Sequence, residues 1–202
     1  LSSSGGTLTK LGSGTLTLVG TNSYTGGTTV SAGVLKVGSP TALGTNASSV
    51  TVNDGAVLDL NGTTMTTANP LTLNGTGISS GGALINSNAS AGTYAGLVTL
   101  GSASSMVGGT GAVNLSNMGT LTGSGLGMTL GGAVGGTISS IIGTATGTLT
   151  KVDAGTWTLT GTNTYSTTTV SAGTLQIGNG STTGTWGTGA LVDNAALVLS
   201  RS

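Results

Sequence analysis

Fifteen runs of three to five residues recur along the chain, most alternating an apolar residue with threonine or another polar one, and Gly-, Asn- or Ser-rich segments separate them. Leu16–Leu18, Thr28–Val30, Val34–Val37, Val50–Val52, Leu71–Leu73 and Leu175–Ile177 are typical. Alternation at period two marks a strand with one face buried. No stretch carries an apolar period of 3.6, so the sequence predicts essentially no helix. Sandwich strands run about 5–6 residues, longer than these. The pattern predicts an all-β fold, a β-helix of short strands with Gly and Asn at the corners, where a positive φ is needed. At roughly 20 residues per coil and ~4.8 Å per coil the chain forms about ten coils, a rod about 45–50 Å long.

Composition narrows the function classes. Charged residues make up 4% of the 202, net charge is zero and 36% are hydrophobic. Disordered chains combine low hydrophobicity with high net charge, so this chain is expected to be ordered. Lys10, Lys36, Lys151 and Arg201 form no basic patch, and nucleic-acid binding lacks its electrostatic footprint. Cysteine is absent. No run of 18 apolar residues suggests a membrane-spanning helix. Beginning at Leu1 with no recognisable signal peptide, the chain reads as a processed or excised part of something longer.

A long internal repeat overlies the strand texture. Residues 7–38, TLTKLGSGTLTLVGTNSYTGGTTVSAGVLKVG, return at 148–178 as TLTKVDAGTWTLTGTNTYSTTTVSAGTLQIG. The offset is 141 residues from Lys10/Lys151 to Tyr24/Tyr165 and 140 from Val30/Val170 onward. A weaker echo follows in GAVLDLNG at 55–62 and NAALVLSRS at 194–202. We therefore expect a single solenoid segment over 1–202, with repeat copies at about 7–62 and 148–202 joined by a spacer at 63–147. Residues 101–147 are the least regular.

The two copies, Gly14–Gly38 and Gly155–Gly178, resemble the autotransporter-associated β-strand repeat, also called the passenger-associated transport repeat. The resemblance implies a right-handed parallel β-helix in a large secreted or surface-exposed bacterial passenger protein, often an adhesin or aggregation factor. Its motif residues here are Gly14, Asn22, Tyr24 and Gly33 in the first copy and Gly155, Asn163, Tyr165 and Gly173 in the second. Two Trp and three Tyr cannot supply the aromatic girdles of a membrane barrel, so none is expected within these residues, and the second copy lacks the glycines after the tyrosine.

Catalysis is hard to build from these residues. With no His, Cys or Glu, general acid–base work would fall to Asp54, Asp59, Asp153 and Asp193, of which Asp54 and Asp193 sit beside asparagine as turn residues do. No catalytic, cofactor or metal residue is assigned. Gly12-Ser13-Gly14 and Gly123-Ser124-Gly125 lack the strand–helix context of a phosphate loop and read as corners. Tyr24 and Tyr165 are expected to pack on coil corners, beside asparagines bonded to their own backbone or to a neighbouring coil. The expected function is structural and adhesive at the bacterial cell surface. The expected partners in that role are further copies of the chain, joined end to end or laterally, and a host or neighbouring-cell surface. The alternative is a binding module for ice or carbohydrate on Thr- and Asn-rich faces, although the Thr-x-Thr spacing along the chain is irregular.

Overall fold

The computed structural model describes all of residues 1–202. Its strands pair in parallel throughout, in the pattern of a β-solenoid. One wall stacks Leu8–Lys10, Thr28–Val30, Val50–Val52, Leu71–Gly75, the start of Val98–Gly108, Thr120–Thr122 and Ile141–Gly143. A second wall carries Thr15–Leu18, Gly33–Val37, Ala56–Asp59, Leu84–Asn86, the end of Val98–Gly108, Met128–Gly131, Thr148–Lys151, Thr167–Val170 and Leu191–Asp193, one strand per coil and nine coils in all. In the later coils a separate sheet runs from Gly92–Tyr94 to Ala196–Arg201. The coil count falls below the expected ten because corners differ in length. Thr28 pairs with Leu8, 20 residues back, whereas Val98 pairs with Leu71, 27 back. The longer excursion holds the only helical turn, the 3-10 turn Ile78–Ser80. No helix is long and apolar enough to cross a membrane.

The irregular middle resolves into strands that turn corners. Val98–Leu100 pairs with Leu71–Leu73, while Met106–Gly108, further along the same strand, pairs with Leu84–Asn86 on the next wall. The run Ile138–Ile142, expected as one strand, divides into Gly135–Ile138 and Ile141–Gly143. Buried Ser140 makes the corner between them and donates from Oγ to the Asn117 carbonyl at 2.6 Å.

Inward residues stack in columns. Val30, Val52 and Leu73 lie in register on one wall, as do Leu35, Leu58 and Leu84 on the next, all buried. Each such side chain contributes about 1.5–3 kcal/mol on burial, and the columns join into one core cluster of 34 residues.

The outward positions carry a pattern that is hidden in the sequence. Thr9, Thr29, Thr51, Thr72, Thr99 and Thr122 stand side by side on consecutive strands. Thr99 and Thr122 share a hydroxyl–hydroxyl bond of 3.2 Å. Thr129, Thr150 and Thr169 continue the theme on later coils. The irregular Thr spacing expected from the sequence is therefore regular in space, because unequal corners absorb the differences.

Candidate functional site

The repeat residues cluster at two equivalent places, and the feature at the centre of each is a lysine. Lys151 lies in an inward column between Leu130 and Val170 and is fully buried; Lys10 holds the same place beside Val30. A charge there requires partners. Lys151 Nζ donates to the carbonyls of Val152, Asp153 (2.7 Å) and Ala172 (3.0 Å). Lys10 Nζ donates to those of Leu11 (2.9 Å), Gly12 (2.7 Å) and Ala32 (3.0 Å). Each cage takes two carbonyls from the lysine's own corner and one from the next coil, so the ammonium ties adjacent coils together. Burial pushes the Lys151 ammonium below its ordinary value, and neighbouring Asp153 partly restores it.

Glycine completes the cage. Gly33 and Gly173, each following Ser-Ala, adopt φ of 68° and 66°. A Cβ on Gly33 would lie 2.8 Å from Lys10 Nζ, and one on Gly173 would lie 2.7 Å from the Ala154 carbonyl carbon. The earlier glycines of the motif differ between copies. A Cβ on Gly155 would approach Gly132 O to 2.6 Å, whereas nothing lies within 4 Å of one on Gly14. Gly173→Ala is expected to cost about 2 kcal/mol or more through strain and overlap, and Gly14→Ala to be near neutral. Urea midpoints of the two variants check this contrast.

Asn163 bridges three coils. Its Oδ1 accepts from Ile142 N (2.8 Å) in the preceding coil, and its Nδ2 donates to Thr185 O (2.6 Å) in the following one. Asn22 donates in the same way to Ala42 O (2.6 Å), and its Oδ1 accepts from the terminal amine of Leu1. Tyr24 and Tyr165 are buried, with hydroxyls bonded to Thr28 Oγ1 (2.7 Å) and Thr168 Oγ1 (2.9 Å). They are placed to pack, not to project toward a partner. Sequence reasoning missed both lysine cages. It also missed Asn69, whose Nδ2 donates to three carbonyls, and Tyr94, whose hydroxyl donates to Asn69 O at 2.8 Å. Lysine recurring at an inward position of two alternating runs was the available signal.

The aspartates are dispersed, and no group of three metal-ligating side chains forms. Asp59 is buried in a strand, bonded to Ser87 Oγ (2.6 Å) and paired with Lys36 at 3.2 Å. Asp153 Oδ2 accepts from Gly132 N (2.7 Å), and Asp193 Oδ1 from Ala195 N (3.2 Å). Asp54 is exposed.

Burial raises the pKa of Tyr24, Tyr94 and Tyr165 above the ordinary 10.0. Above pH 10 the unfolded chain therefore releases phenolic protons that the folded chain retains, and stability falls as pH rises, with a limiting slope of about 1.4 kcal/mol per pH unit for a fully buried tyrosine. Lys151 acts in the opposite sense just below pH 10.5, where its unfolded form holds the extra proton. Three tyrosines outweigh one lysine, so net alkaline destabilisation is expected. Phenolate absorbance near 295 nm should rise only together with loss of the β circular-dichroism signal.

The same two places are matched from outside. Residues 8–37 and 149–177 match the family passenger-associated-transport-repeat. The chain is similar to this family at two separate segments, 59 of its 202 residues. Both Lys, Asn and Tyr sets lie within these matched segments, as do Gly14, Gly33, Gly155 and Gly173. Over 99 residues the chain is also 39% identical to the adhesin BmaC autotransporter of Brucella suis biovar 1 (strain 1330). That alignment takes in 46% of this chain and 3% of the adhesin, so the chain spans a small fraction of its relative. No solved structure gives a significant match.

Proposed function

We propose that this chain is a segment of a large, non-enzymatic adhesive passenger on the bacterial surface, with its coils forming a stiff spacer whose outer faces make the contacts. The observation that carries this reading is the division of labour within the repeats. Lys10 and Asn22, with their counterparts Lys151 and Asn163, clamp adjacent coils, while buried Tyr24 and Tyr165 and the close-packed Gly33 and Gly173 fill the corners. The outward positions hold uncharged hydroxyls in long columns. The similarity to an adhesin autotransporter supports the same reading. A laboratory strain displaying the chain on a surface carrier should adhere to epithelial monolayers more than the carrier strain alone. Equal adherence would remove the reading.

Within it, copies associate end to end. Parallel coils present unpaired backbone at a terminal strand, a template for another coil. Almost no charge repels a second copy. Negative-stain microscopy over a concentration series should show filaments of constant width that lengthen with concentration. Monodisperse short rods at every concentration would refute end-to-end association.

The threonine column favours a second reading, a module for a hydroxyl-bearing surface. Two residues on, the same coils carry Leu11, Ser31, Asn53 and Asn74, so the column is one threonine wide. An ice lattice needs hydroxyl ranks in two directions, and carbohydrate fits better.

A further inference from the structure

We infer that an axial groove on the later coils is a binding site for a neutral, extended polysaccharide. The inference rests on the adhesive reading above and names the ligand class. The groove has a volume of about 490 Å³. Its lining recurs at one angular position: Ser116 and Met118, then Ser139 and Ile141, then Thr160 and Thr162. These segments are stacked on successive coils, since Ser139 N donates to Leu115 O (2.9 Å), Ile141 N to Gly119 O (3.0 Å) and Thr160 N to Ile138 O (3.1 Å). A fourth rung is Asn179, Ser181 and Thr183, where the strand Thr174–Ser181 runs past the usual length of its neighbours. Ser181 Oγ lies 2.9 Å from Asn179 Oδ1 and 3.0 Å from Thr183 Oγ1, so this rung is held in place before any ligand arrives.

Four properties select the ligand. No lining residue is ionisable, so nothing compensates a charged ligand on desolvation. Hydroxyl and amide groups that both donate and accept match the hydroxyls of a sugar. Exposed Met118 and half-buried Ile141 offer apolar contact for a sugar's C–H face. The rungs repeat at ~4.8 Å, close to the length of one hexose in an extended chain. A polypeptide strand laid along the axis would instead repeat its side chains about every 6.8 Å and drift out of step.

Titration of the 202-residue chain with chitohexaose and cellohexaose, followed by amide NMR and calorimetry, tests this, with a hexamer of galacturonic acid as the charged probe. The expected result is binding of a neutral hexamer with shifts confined to the four rungs, and at least tenfold weaker binding of the acidic one. Thr162→Arg, at an exposed position, should reduce neutral binding at least tenfold without changing the melting temperature, and Thr160→Val should weaken it. Thr146→Ala, at an exposed corner outside the groove, should bind as the parent does. Failure of both neutral hexamers to bind, or unchanged binding by Thr162→Arg, would overturn the inference. Cells displaying Thr162→Arg separate the two levels: adherence retained by a chain that binds no glycan leaves the adhesive reading standing while the groove falls.

Discussion

Lys151→Ala is expected to lower the unfolding free energy by about 3–5 kcal/mol. The substitution removes three bonds at once and leaves the carbonyls of Val152, Asp153 and Ala172 without their shared donor. An unpartnered buried carbonyl costs about 1–3 kcal/mol, and the lost stem opens a cavity between Leu130 and Val170. Lys151→Met separates these effects. It keeps most of the volume, so its expected cost of about 2–3 kcal/mol belongs to the carbonyls. Lys10→Ala should cost less, because Lys10 sits in the first coil and is 6% exposed where Lys151 is 0%. Urea unfolding followed by tryptophan fluorescence measures all three. If Lys151→Met is as stable as the parent, the cage contributes nothing and the lysine is a tolerated irregularity in an apolar column.

Trp157→Ala should cost about 3–5 kcal/mol. The indole is fully buried, and its Nε1 donates to Gly131 O at 2.9 Å. It stacks in register between Gly136 and Leu175. Gly136 makes this possible, since a Cβ there would come within 3.1 Å of the ring. The first repeat has Leu16 at the matching position, half-buried. Trp157→Leu is therefore a milder change, expected at about 2 kcal/mol, from the lost Nε1 bond and unfilled space over Gly136. Thermal melts followed by circular dichroism check both. A cost for Trp157→Ala no larger than for Trp157→Leu would mean that the column relaxes around the missing ring.

The strand texture was legible because it is local. Thr28–Val30, Val50–Val52 and Leu71–Leu73 show alternation within three residues, and the structure places all three in one wall. The repeat gave Asn22, Tyr24, Asn163 and Tyr165 as notable residues but not their bonding, since Asn163 meets partners 21 and 22 residues away. In the sequence the lysines read only as sparse charges; their burial depends on the corner carbonyls folding back over Nζ, which no periodicity reveals. The threonine column was hidden for a related reason. Register across coils is set by corner length, and corners such as residues 76–83 carry no apolar pattern to measure it by. The groove is likewise assembled from residues 116 to 183, four coils that sequence alone does not align.

Register is therefore the central claim, and it can be measured directly. The chain has no cysteine, so pairs of spin labels can be introduced on the threonine column without background. Thr9 and Thr99 lie four coils apart, and Thr9 and Thr122 five. At ~4.8 Å per coil, electron–electron double resonance should give narrow distributions near 19 Å and 24 Å, broadened only by the label linkers. Distances that fail to grow from the first pair to the second, or distributions spread over tens of ångströms, would contradict a stack of parallel coils in this register.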